Sequence, residues 1–161
     1  MIVKSITGKH LLFLSLIFWM ISFVALGTNV QAQTKLDAKA VITVEAKGCT
    51  GMCPIYSAQI YADGTVIYKG KDYVKVTGEK QYRISEGKVE DLLEESKRIN
   101  FSSFKEVYDT DELELPAFVT TILFDGKQKQ VTNYAGAPKE LDDFEIKILR
   151  VTNLFDFVGP L

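Results

Sequence analysis

The chain has 161 residues, 47% of them hydrophobic and 25% charged, with a formal net charge of −2, two cysteines and one histidine. That length suits one domain, and the composition is that of a globular protein, which excludes wholesale disorder, collagen and coiled-coil arrays. The mildly acidic balance argues against nucleic acid as the main partner.

Residues 1–32 read as a secretory signal peptide that stands outside the fold. Lys4, Lys9 and His10 make a basic start, and an apolar run over residues 11–26 is interrupted only by Ser15 and Ser22. Val30-Gln31-Ala32 then sets small or apolar residues at the −3 and −1 positions of a cleavage site. The alternative is an uncleaved membrane anchor, but a spanning helix wants about 20 apolar residues. Cleavage after Ala32 leaves 129 residues with 17 basic side chains against 21 acidic ones, and no histidine. A Ser-His-Asp triad, a Cys-His pair, an HExxH zinc site and a blue-copper site then fall away. The expected location is periplasmic or secreted, with membrane contact only through an uncleaved leader.

Residues 33–39 are polar and expected to fray. Residues 40–46 are β-branched and predict a strand, followed by a Gly/Cys turn over 48–54. Residues 55–62 and 65–69 predict strands flanking Asp63-Gly64, since Asp-Gly between alternating runs signals a tight hairpin with positive φ. Residues 72–77 and 80–84 read as two further extended segments around Gly78. Ser85 is the expected N-cap of a helix from Glu86 to about Asn100, with Val89, Leu92, Leu93, Ser96 and Ile99 on one face. Phe101 and Phe104 complete that apolar patch. Residues 117–124 and 127–133 form a second hairpin around Asp125-Gly126. Pro138 falls at the first turn of a last helix, whose apolar stripe is Leu141, Phe144, Ile148, Val151 and Phe155. The fold class predicted is α+β: over residues 40–161, a single domain with an antiparallel sheet built from β-hairpins and two helices packed on one face.

The most distinctive stretch is Gly48-Cys49-Thr50-Gly51-Met52-Cys53-Pro54-Ile55-Tyr56. In an oxidising compartment two neighbouring thiols usually pair, so Cys49 and Cys53 are expected to staple this turn. The alternative is thiol exchange, or Cu(I) binding with Met52 as a third soft ligand. Cys-x-x-x-Cys-Pro resembles the copper motif of the Sco-type chaperones, but that family completes its site with a distant histidine, which the chain lacks once the leader is removed.

Gly-Cys-x-Gly-x-Cys-Pro-x-Tyr, followed by a strand ending in Asp-Gly-Thr-Val, resembles the opening of an uncharacterised family of exported bacterial domains of unknown function. The resemblance continues through Val74-Lys75-Val76-Thr77-Gly78, Ile84-Ser85 and Leu115-Pro116, and ends at Val131 to Pro138. It spans residues 40–156, with one departure at Asn133, where such proteins more often have Asp. It implies a single α+β domain, often exported, and carries no catalytic residues over.

Asp109, Asp111, Glu112 and Glu114 form an acidic segment of the kind Ca²⁺ takes, without EF-hand spacing; a solvated loop is the simpler reading. No sequence feature sets two carboxylates in a cleft, as a glycosidase needs. Tyrosines beside turns mark recognition surfaces, although tyrosine is also a good strand former. Gly51, Met52, Tyr56, Tyr61 and Tyr134 are therefore the candidate ligand or partner surface. The function expected is non-catalytic: a binding or interaction domain of the bacterial envelope for a protein or small molecule, with no cofactor.

Overall fold

In a computed structural model, which describes residues 39–109 and 115–159, alternation decides the layering. Ile42, Val44 and Ala46 of β1 (Ile42–Lys47) are buried, as are Tyr56, Ala58 and Ile60 of β2 (Ile55–Ile60) and Val66 and Tyr68 of β3 (Thr65–Asp72). The intervening Glu45, Gln59 and Lys69 are exposed, so over β1–β3 one face of the sheet meets the core and the other carries polar residues, as antiparallel sheets allow. β4 (Gly78–Arg83), β5 (Val107–Tyr108), β6 (Ala117–Phe124) and β7 (Lys127–Asn133) complete seven strands in the order β4-β3-β2-β1-β6-β7-β5. β1 is the seam, antiparallel to β2 on one side and to β6 on the other.

The two expected hairpins form, with different turns. Asp125 and Gly126 both have positive φ, 46° and 80°, and join β6 to β7 directly. In the first hairpin only Gly64 does, at 82°. Its turn is closed by the Gly64 N–H donating to the Tyr61 carbonyl and the Tyr61 N–H donating to that of Thr65. The Asp63 carboxylate accepts from the Thr65 N–H and hydroxyl, both at 3.0 Å.

Both helices lie on the core face. α1 (Glu86–Arg98) follows Ser85, which holds the N-cap position but makes no side-chain capping bond. α2 (Lys139–Val151) starts one residue after Pro138. Phe101 links them, with its ring centroid 5.9 Å from that of Phe144 and 5.9 Å from that of Phe104. Burying a side chain such as Leu92, Leu141 or Phe144 contributes roughly 1.5–3 kcal/mol each.

Three differences from the sequence reading have local causes. The stripe expected to reach Phe155 in one helix breaks at Thr152, because Asn153 turns left-handed at φ 59°. The Leu154 N–H then donates to the Leu149 carbonyl and the Asn153 N–H to that of Arg150, a Schellman ending with Leu154 tucked into the core. A further turn, α3 (Phe155–Val158), follows. Of the segment 72–77 only Asp72 is extended, as the end of β3; residues 73–77 leave the sheet, since Tyr73 has φ 53° and the Val76 N–H donates instead to the Phe157 carbonyl at 2.9 Å. Phe157 also stacks on Tyr68 at 5.2 Å, so α3 pins this loop. The third difference is β5, which pairs parallel to β7 through Val107 and Tyr108 and is too short to show a period.

The two Asp-Gly turns make a paired test. A Cβ on Gly64 would lie 2.1 Å from the Ile84 carbonyl oxygen, whereas one on Gly126 meets nothing within 4 Å. Gly126→Ala is expected to cost only the left-handed penalty, about 1–2 kcal/mol. Gly64→Ala adds a backbone clash and should cost at least about 3 kcal/mol, read by urea unfolding. Equal losses would contradict this account of the first turn.

Candidate functional site

The register gathers most of the candidate residues at one end of the sheet. Ala46 pairs with Tyr56 and Phe118, and Phe118 pairs with Asn133, so the end of β1, the start of β2, the start of β6 and the end of β7 coincide. The Cys49–Cys53 turn, Pro116 and Tyr134 therefore share this end. Tyr61 does not: it sits at the opposite end beside the Asp63-Gly64 turn, its hydroxyl 3.4 Å from Gln59 Oε1.

Cys49 and Cys53 are joined as a disulfide with Cα atoms 5.6 Å apart. The Gly51 N–H donates to Cys49 Sγ at 3.2 Å, and Met52 is 83% exposed at the tip. Tyr134 is also exposed, whereas Tyr56 is buried, so it belongs to an interior wall and not to an open surface. Of the acidic segment, Asp111, Glu112 and Glu114 lie outside the described residues; Asp109 follows β5 at this same end. Among the described residues, no three His, Cys, Asp or Glu side chains are grouped to hold a metal ion.

Beneath α2 at this end lies a cavity of about 490 Å³. Ala46, Pro54, Pro116, Ala117, Phe118, Ile146 and Leu149 make its apolar walls, and Tyr56, Asp142 and Glu145 bring polar groups. Pro54 comes directly after Cys53, so the stapled turn leads into one wall. Asp142 and Ile146 are exposed at the rim. Glu145 is only 6% exposed. Its Oε1 accepts from Thr120 Oγ1 of β6 at 3.0 Å, and its Oε2 accepts from Asn133 Nδ2 of β7 at 2.9 Å. The same Nδ2 donates to Asp142 Oδ1 at 2.9 Å.

Burial pushes the Glu145 carboxyl up to about 7; the Asn133 and Thr120 donors oppose the rise, and the Asp142 charge adds to it. Burial likewise holds the Tyr56 phenol above its ordinary value, with Tyr68 and Glu145 adding to the effect. Two buried polar atoms among the described residues have no hydrogen-bond partner: the Tyr56 hydroxyl and Asn133 Oδ1. Both flank Glu145. An apolar cleft with a few convergent polar groups and a perturbed carboxyl is the usual form of a ligand site.

The sequence reading found Tyr56 and the stapled turn but not Glu145, Asp142 or Thr120, and it met Asn133 only as a departure from a pattern. A signal was present: position 145 lies four residues after Leu141 and three before Ile148, on the buried face, and an acid on an apolar stripe is costly unless it is used. Nor did the sequence set two carboxylates in a cleft, whereas the structure brings Asp142 and Glu145 together. They project from one helix turn onto one amide donor, so they share a wall and do not flank a gap as glycosidase carboxylates do.

Two predictions follow from this geometry. A carboxyl that titrates near 7 when folded and near 4.5 when unfolded keeps its proton in the native state over that interval. Its contribution is complete below 4.5 and is lost as pH rises to 7, by at most roughly 3 kcal/mol. Glu145→Gln should flatten that part of the stability profile in urea melts at stepped pH; an unchanged slope would contradict it. Replacing both cysteines with Ala should cost about 2 kcal/mol from the short-loop entropy, a Tm loss of roughly 8 °C in a thermal melt. No change in Tm would show that the staple is idle.

No curated protein matches the chain. A family model described as Domain of unknown function (DUF6438) matches residues 40–152, more than half of the 161 residues and nearly all of the described fold. With Glu145, Asn133 and the stapled turn all inside that span, the chain belongs to this family, a domain of unknown function.

Proposed function

We propose that this protein is an exported, non-catalytic binding domain of the bacterial envelope, and that the cavity beneath α2 is its ligand site. The observation that carries the reading is the Tyr56 hydroxyl: buried, without a partner, on the wall of an apolar cavity that also holds the Glu145 carboxyl. A buried hydroxyl left unpaired costs roughly 1–3 kcal/mol, and a ligand group that pairs with it recovers that loss. The apolar walls supply the remaining affinity.

Export is supported by the tripartite pattern of residues 1–32 and by the disulfide, which persists in oxidising compartments. Among the described residues no helix is long and apolar enough to cross a membrane. The alternative is thiol exchange or Cu(I) handling by Cys49, Met52 and Cys53; Cu(I) binding requires reduced sulfurs, whereas here the two are bonded to each other, which is the oxidised state of an exchange pair.

A simple apolar probe tests the site. 1-Hexanol titrated into isotopically labelled protein should shift the amide and methyl signals of Ala46, Ala117, Ile146 and Leu149. Ile146→Trp, a change at the exposed rim, should weaken that binding at least about fivefold while leaving Tm within a few degrees. Shifts centred elsewhere, or binding indifferent to Ile146→Trp, would contradict the assignment. Intact mass of the protein recovered from the periplasm should correspond to a chain beginning at Gln33, and a full-length mass would contradict cleavage.

A further inference from the structure

The polar groups of the cavity are biased in a way that specifies the ligand's charge. Among the described residues, ten line the cavity; two are acids, Asp142 and Glu145, and none is lysine or arginine. Glu145 is held by the neutral donors Thr120 and Asn133, each occupying one carboxylate oxygen and leaving further lone pairs on both. Among the described residues, two buried side-chain atoms have no partner: the Tyr56 hydroxyl oxygen, on the cavity wall, and Asn133 Oδ1, outside the lining on the residue that donates to Glu145. Both can accept a hydrogen bond, and the second can only accept.

We infer that the cavity takes a small organic cation, an ammonium group on an apolar body, with its N–H groups directed to the Glu145 carboxylate and the Tyr56 hydroxyl. The inference rests on the reading of this cavity as a ligand site and adds the chemistry of the head group. An ammonium carries three donors and no acceptor, which complements a wall of acceptors. A carboxylate ligand would face two acids with no cation to offset them. A neutral alcohol would satisfy one acceptor without the charge. Asp142 at the open rim adds attraction toward the mouth. The Thr120 and Asn133 donors already offset part of the cost of an ionised Glu145, so the pair is not a bare buried charge.

Among the described residues, the charged and titratable groups facing Glu145 are Asp142 on its own helix and Tyr56 on β2; β6 and β7 present the neutral Thr120 and Asn133. A bound ammonium therefore acts mainly on Glu145 and favours its ionised form. Ammonium binding is expected to release a proton at pH 6.5 and almost none at pH 8.5, as Glu145 is then already ionised.

Hexylamine, 1-hexanol and hexanoate share one apolar body and differ in the head. Calorimetry on the intact protein at pH 8 should show hexylamine binding on the order of tenfold or more tighter than hexanol, with hexanoate weakest. Glu145→Gln should erase the amine's advantage over the alcohol. Repeating the hexylamine titration at pH 6.5 in buffers of different ionisation enthalpy should reveal the released proton. If the alcohol or the carboxylate binds as tightly as the amine, or if the advantage survives Glu145→Gln, the cation inference is overturned and the cavity reading stands. If none of the three shifts the cavity signals, both are overturned.

Discussion

The carboxyl of Glu145 is the group on which the site end of this fold depends. It is buried beneath the helix that covers the sheet, and its two oxygens reach different strands, Thr120 on β6 and Asn133 on β7. A carboxyl in that position is costly without donors, and each hydrogen bond to it is worth more than a neutral one. The same bonds fix where α2 lies, and hence where Leu149, Ile146 and Asp142 join Pro54, Tyr56 and Phe118 in lining an open cavity. An apolar residue at 145 would pack more cheaply. The acid is therefore difficult to explain by packing alone, and a cavity with an unpaired tyrosine hydroxyl beside it supplies the reason.

The Cys49–Cys53 turn has a supporting place in this arrangement. The disulfide closes a small ring on glycine-containing backbone, and Pro54 and Tyr56 follow directly into the cavity wall. At the other margin, α3 does comparable work for the edge strands: Phe157 stacks on Tyr68 and its carbonyl takes the Val76 N–H. The Tyr82 hydroxyl donates to the Thr152 carbonyl at 2.5 Å, tying β4 to the end of α2. Covalent and aromatic ties thus brace the two sides of the sheet.

Much of this was legible in the residues. The β6–β7 hairpin falls at the expected positions because Asp125-Gly126 admits only a tight turn between two alternating runs. The helix from Glu86 and the one after Pro138 follow from their apolar spacing. What escaped was set by tertiary contacts or by single residues: β5, two residues held by β7; the break at Thr152, where Asn153 makes the left-handed turn; and the loop over 73–77, held by α3. The site escaped for a related reason. Periodicity finds the face of a helix but takes its hydrophobic members as the message, so Glu145 was passed over between Phe144 and Ile148. Thr120 and Asn133 look like ordinary strand residues until β6 and β7 lie side by side. Tyr56 was found for the wrong surface, since its place in β2 points it into the core.

The site turns on the protonation of one side chain. A carbon-13 NMR titration of the Glu145 carboxyl in the ligand-free protein measures it directly. A midpoint near 7 is the predicted result. A midpoint near the ordinary value of 4.5 would mean that water reaches this carboxyl freely, and the buried acid at the base of the cavity would be contradicted.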